Sequence, residues 1–183
     1  MIAKAINTPL ESVRVLQRKL YLAAKANPKR KFGVLYDKVC QIDVLWSAYE
    51  QVRSNKGAPG IDRQTFDVIE SEIGVATFLD EIRIQLIGKR YKPMPVRRVY
   101  IPKTDGTQRP LGIPVIADRV VQAAVKLVIE PVFEASFKDF SYGFRPRKSA
   151  QQALREIYKW LNFKCHWVVD ADLKSYFDTI PHD

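Results

Sequence analysis

Cysteine is scarce in this chain: Cys40 and Cys165 stand far apart, with neither a CxxC pair nor a histidine cluster beside them. A zinc site and a disulfide framework are thereby excluded as organising features, and a reducing compartment fits. No run of about 18 apolar residues occurs, so no membrane span is expected. The short apolar core of a secretion signal is missing, as are internal repeats and low-complexity segments. A cytoplasmic, membrane-free protein is the expectation.

What is present is a globular composition. The 183 residues are 46% apolar and 27% charged, enough to build one ordinary domain with a core. The charge is lopsided, with 30 Lys and Arg against 20 Asp and Glu. Residues 1–40 carry nine bases and two acids, and residues 91–150 carry eleven and five. The other two stretches are slightly acidic, so the excess is localised, as expected where a polyanion is gripped. A solvated basic surface would look the same, and charge alone names no partner.

Helices come first along the chain. Thr8-Pro9-Leu10-Glu11 reads as a capped helix start. Leu10, Val13, Leu16, Leu20 and Ala24 mark one face up to Asn27-Pro28, and Arg14, Arg18 and Lys25 lie opposite. Such a cationic helix could lie on a membrane or serve as a transit peptide, but the periodicity continues, which favours an RNA-facing helix pair. A second helix is expected over roughly 33–54, burying Val39, Ile42, Leu45, Trp46, Tyr49 and Val52. A glycine-bearing loop follows at 57–62, and a third helix runs from the box Thr77-Phe-Leu-Asp80 to about Gly88.

The texture then changes. Residues 95–102 and 109–114, joined by an Asp105-Gly106 turn, predict a β-hairpin whose Pro102 and Pro110 require edge strands. A long helix is expected from about Ala117 to Glu130, broken at Pro131. After the loop 141–146, Ser149 and Gln152 open another helix. Trp167 to Leu173 reads as a strand, with a turn over 175–178. The fold class is α+β, divided at 90/91 into an N-terminal helical part (1–90) and a hairpin-bearing part (91–183).

On that last strand Asp170 and Asp172 share one face. They close an apolar run, where carboxylates need a cation or hydrogen bonds, and magnesium couples such ligands to phosphates. An ordinary strand-to-turn junction, with the aspartates capping or solvated, explains the spacing more simply.

Residues 169–182, Val-Asp-Ala-Asp172-Leu-Lys-Ser-Tyr-Phe177-Asp-Thr-Ile-Pro-His182, resemble the first catalytic motif of group II intron reverse transcriptases. Upstream, Asn55-Lys-Gly-Ala-Pro-Gly-Ile-Asp62 is similar to that family's N-terminal loop motif. Tyr100-Ile-Pro-Lys103 with Arg109-Pro-Leu-Gly-Ile-Pro114 resembles its fingers hairpin, and Ser141-Tyr-Gly-Phe-Arg-Pro146 the next block. The motifs occur in the family's order and span residues 55–183.

The resemblance implies the fingers of a right-hand polymerase plus the first palm strand, in an incomplete reverse transcriptase domain. It makes Asp172 the first catalytic aspartate, holding Mg2+ with the carbonyl of Leu173, and it demotes Asp170. Lys103 and Arg109 would close over the incoming triphosphate, and Phe177 would be the steric gate beneath the sugar. Lys56, Gly57, Pro59, Gly60 and Arg63, together with the basic N-terminal helices, would contact template or intron RNA, with Arg145 and Arg147 extending the groove or serving as plain surface charges. The implied partners are group II intron RNA, template RNA, a DNA primer and dNTP. Whether the N-terminal helices pair with a second copy, giving a homodimer, stays open.

The family completes its site with a Tyr-x-Asp-Asp turn, and the sequence stops short of one. The 183 residues are therefore expected to bind RNA without complete catalysis. Three other readings remain: a non-enzymatic RNA-binding splicing factor, a reverse transcriptase of the CRISPR-associated, retron or diversity-generating branch, and an unrelated magnesium phosphohydrolase using Asp170 and Asp172.

Overall fold

The computed structural model describes residues 8–102, 104, 106–173 and 176–181. They form helices α1 (Pro9–Ala26), α2 (Tyr36–Val39), α3 (Ile42–Ser54), α4 (Phe66–Val68), α5 (Val75–Ile87), α6 (Ile116–Glu134) and α7 (Ala150–Asn162), with strands β1 (Arg97–Pro102) and β2 (Gln108–Ile113). By packing the chain divides between Phe137 and Lys138. This differs from the change of texture at 90/91, because α6 follows the hairpin in sequence yet packs on α1 and α3.

In the first unit α1, α3, α5 and α6 enclose the core. Val44, Leu45 and Ala48 of α3 meet Ile116, Val120, Ala124 and Val128 of α6 and Leu79 of α5, and none of these is more than 1% exposed. Each buried Val, Leu or Ile side chain among them contributes roughly 1.5–3 kcal/mol by leaving water. Leu45→Ala alone would cost about 2–5 kcal/mol, since the site is enclosed on every side.

The helix ends follow local chemistry. The Thr8 hydroxyl accepts from Glu11 N and the Glu11 carboxylate accepts from Thr8 N, closing the expected box on α1. Ser149 and Gln152 do the same for α7. Three expectations need correction. The predicted 33–54 helix is two helices, because Gln41 takes an extended backbone (φ −70°, ψ 134°) between α2 and α3. The third helix starts two residues before Thr77, at Val75, after Gly74 takes φ 84°; the stretch before it, without a predicted element, is α4 continued by a π-type turn over Ile69–Ile73.

The third correction concerns Pro131, which sits inside α6 instead of ending it. Proline has no N–H for the carbonyl four residues back, here that of Leu127. Gln17 of α1 donates its Nε2 to that oxygen at 3.1 Å. A side chain from another helix thus replaces the missing backbone donor.

β1 and β2 form the predicted hairpin, antiparallel, with Arg97 opposite Ile113 and Ile101 opposite Arg109. Both are edges of a two-stranded sheet, which is why Pro102 and Pro110 fit.

The second unit holds the 138–149 loop, α7, an extended stretch and the 3-10 turn Tyr176–Thr179. The strand expected over 167–173 has no ladder partner among the described residues. Its apolar residues stand in solvent, Trp167 at 98% exposed. α7 likewise leaves Leu154, Ile157, Tyr158 and Leu161 exposed along one helical face.

Candidate nucleic-acid and nucleotide interface

The loop after α3 is the best-defined candidate surface. α3 ends at Ser54, and Lys56 turns the chain with φ 47°, its N–H bonded to the Arg53 carbonyl. Arg63 closes the loop in the same left-handed region (φ 58°), with its N–H on the carbonyl of Gly60. Left-handed backbone costs a side-chain-bearing residue roughly 1–2 kcal/mol. Both bases are exposed there and free of ion pairs among the described residues.

Three anchors hold this loop. Arg119, in the first turn of α6, donates Nη2 to the Ala58 carbonyl at 2.7 Å. Arg97, at the base of β1, donates Nε to the Pro59 carbonyl at 3.1 Å. Gly60 is buried against Val115, where a Cβ would lie 2.6 Å from the Val115 Cα. Gly60 therefore serves close backbone approach. Burial pushes the Arg119 guanidinium below its ordinary pKa, partly offset by the charge of Asp62.

Asp118, the residue before Arg119, holds the approach to the hairpin. Its carboxylate accepts from Tyr91 Oη at 2.5 Å and from Met94 N at 3.0 Å. Burial, with help from Asp118, raises the Tyr91 pKa. The start of α6 thus ties down both the loop and the strand that carries Arg97.

Beside the loop opens a cleft of about 780 Å³, bordered by Arg53, Lys56, Phe66 and Glu70. Arg53 forms a bidentate pair with Glu70, which lowers the Glu70 pKa. Burial and the bond to Glu70 push the Tyr49 hydroxyl up to about 12. With Arg53 engaged, Lys56 is the unpaired cation on this rim.

The remaining expected residues are scattered. Arg109 is exposed on β2, across from Ile101. Lys103 lies outside the described residues, and so does the side chain of Phe177, whose backbone falls in the 3-10 turn. Asp172 and Leu173 are exposed in the second unit, as is Asp170. Arg145 donates to the carbonyls of Lys138 and Ser141 at 2.6 and 2.7 Å, so it shapes its own loop; Arg147 is exposed with φ 61°.

The Asp172 carboxylate and a main-chain carbonyl are hard oxygen donors of the kind magnesium takes. Among the described residues no group of three acidic, histidine or cysteine side chains gathers to complete such a site. Sequence reasoning missed Arg97, Arg119 and Asp118, which sit in ordinary helix and strand contexts. Nothing local marks them.

Residues 101–183 match the family model described as reverse transcriptase (RNA-dependent DNA polymerase). The group II intron-encoded protein LtrA of Lactococcus lactis subsp. cremoris is 36% identical over 162 residues, 87% of this chain and 26% of that protein. Over residues 101–183 the chain is similar to reverse transcriptases, and along most of its length to group II intron-encoded proteins. Other relatives of the chain are Protein YkfC of Escherichia coli (strain K12), 39% identical over 173 residues, and an uncharacterized 91 kDa protein in cob intron of Schizosaccharomyces pombe, 36% identical over 144. These cover 91% and 77% of this chain but 45% and 17% of the respective relatives. The chain thus spans less than half the length of the relatives it matches. No helix among the described residues is long and apolar enough to cross a membrane.

Proposed function

We propose that this chain supplies the fingers side of an RNA-directed DNA polymerase that binds group II intron RNA, supporting splicing and mobility. The observation that carries the reading is the reverse transcriptase match over residues 101–183, which takes in β2 with Arg109 and the stretch with Asp172. Arg109, with Lys103, grips the triphosphate of the incoming dNTP; a guanidinium suits that task because it offers several donors in a fixed fork. Asp172 and the Leu173 carbonyl would hold Mg2+, which would supply charge neutralisation for nucleotidyl transfer. Phe177 excludes the ribose 2′-hydroxyl, and the DNA primer end lies against Asp172.

Lys56 and Arg63 meet RNA phosphates, on backbone shaped by Gly57, Pro59 and Gly60, while Arg145 supports the groove through its own loop. Phosphate contacts need charge and no base-reading code. Asp172 alone lacks the partner carboxylates that two-metal transfer requires, so these 183 residues bind RNA without extending a primer.

The test is an RNA-binding titration across salt concentration together with a primer-extension assay. Affinity should fall steeply with salt, with a slope reduced by about 0.7 for each phosphate-contacting base removed, Lys56→Ala first. Salt-independent binding, or DNA synthesis by this chain alone, contradicts the proposal.

A further inference from the structure

A second basic cleft lies away from the 55–62 loop. Segment 27–35 leaves α1 and runs to α2 without becoming helical, and with α1 it encloses about 340 Å³. Lys19, Arg30, Lys31 and Lys38 line it, and no acidic side chain does. None of the four cations is ion-paired among the described residues. Four like charges around one concavity repel each other, and a bound polyanion removes that cost.

The cleft also has an aromatic element. Phe32 is half-buried in its wall, and the Arg30 guanidinium lies over its ring, 5.4 Å from the centroid. A planar cation on a ring is a surface on which a nucleobase stacks. Duplex bases are already stacked inside their helix, so the match is to an unpaired base. A concave site with its aromatic group half-buried does not reach into a bilayer, which argues against a membrane.

We infer that this cleft binds one splayed-out nucleotide of single-stranded RNA, its base on the Arg30–Phe32 stack and its flanking phosphates on Lys19, Lys31 and Lys38. The inference rests on the RNA binding proposed above and adds a base-dependent subsite to a phosphate-driven surface. It gives the chain a hold on RNA independent of Lys56 and Arg63.

The experiment is fluorescence anisotropy of a labelled single-stranded RNA, either intact or abasic, with the whole 183-residue chain. Base–aromatic stacking is worth roughly 1–3 kcal/mol. Phe32→Leu should therefore weaken binding of intact RNA by about five-fold or more, leave abasic RNA unchanged, and be rescued by Phe32→Tyr. Lys31→Ala with Lys38→Ala should reduce the salt slope by about 1.4; these polar-site changes do not depend on Phe32 packing. Equal affinity of Phe32→Leu and the parent for intact RNA, or equal loss on abasic RNA, overturns the subsite. No RNA binding by the parent sinks the proposed function as well. Binding that Lys56→Ala weakens and Phe32→Leu leaves intact sinks this cleft alone.

Discussion

Arg119→Ala separates the stability of the whole unit from that of one loop. The guanidinium bond to the Ala58 carbonyl is charge-assisted and 2.7 Å long, and such bonds contribute about 1.5–3 kcal/mol. Ala58 is exposed, so its carbonyl can be rehydrated, which puts the loss at the lower end, about 1.5 kcal/mol. Against this, the Arg119 Nε is buried without a partner, and its removal returns about 1 kcal/mol of desolvation. The net cost to global unfolding is then only about 0.5 kcal/mol.

Loop opening is different, because it breaks the bond from Arg119 to the Ala58 carbonyl directly. The full ~1.5 kcal/mol appears there, about a ten-fold rise in opening. Amide hydrogen exchange reads it at the Arg63 N–H on Gly60 O and the Lys56 N–H on Arg53 O, while urea denaturation reads the global term. Arg97→Ala should act on the same loop through Pro59, so the two substitutions should be non-additive by 0.5 kcal/mol or more, on the order expected for neighbours. Unchanged exchange at both amides, or a loop change no larger than the global one, would refute the reasoning.

Four further outcomes follow from single contacts. Gly60→Ala places a Cβ 2.6 Å from backbone of Val115, whereas Gly57→Ala meets only the tip of Arg119 at 2.5 Å; the first should cost roughly 1–3 kcal/mol and the second clearly less by urea denaturation. Gln17→Leu strands the Leu127 carbonyl at a cost of about 1–3 kcal/mol, and adding Pro131→Ala, which restores a backbone N–H, should recover much of it in a double-mutant cycle. Lys56→Gly relieves left-handed backbone (φ 47°) and should stabilise by up to about 1 kcal/mol while weakening RNA binding, so melting and titration move oppositely. Tyr49 has a folded-state pKa raised from 10.0 to about 12, so its stabilisation is complete below pH 10 and lost as pH rises through about 12. Alkaline denaturation should show it, at roughly 1.4 kcal/mol per pH unit across that window.

The sequence is most readable where the physics is local. Thr8 with Glu11 and Ser149 with Gln152 encode their helix starts within four residues, and both boxes form. The hairpin is legible for the same reason, since two short β-rich runs lie only a few residues apart in sequence and pair with each other. Pro131 misleads because the donor that rescues Leu127 O is 110 residues away. Gln41 misleads because apolar periodicity continues across a single extended residue. The anchors of the 55–62 loop span 61 and 38 residues, and no composition rule reaches that far.

The stretch 167–173 shows the other limit. Alternation tells which side chains share a face, but a strand exists only when another strand accepts its N–H and C=O groups. No such partner occurs among the described residues, and Trp167, Val168 and Val169 accordingly lie more than 80% exposed. The apolar face of α7 stands open in the same unit. Local spacing cannot choose between Asp170 and Asp172 for a related reason: a metal ligand is defined by the donors that converge with it, and none converges among the described residues. The preference for Asp172 comes from the family match alone. By contrast, the surfaces proposed to meet RNA rest on Arg97, Arg119, Gly60 and the Arg30–Phe32 pair, all within one packed unit. That unit can therefore be tested for RNA binding on its own chemistry, before any question about Asp172 is asked.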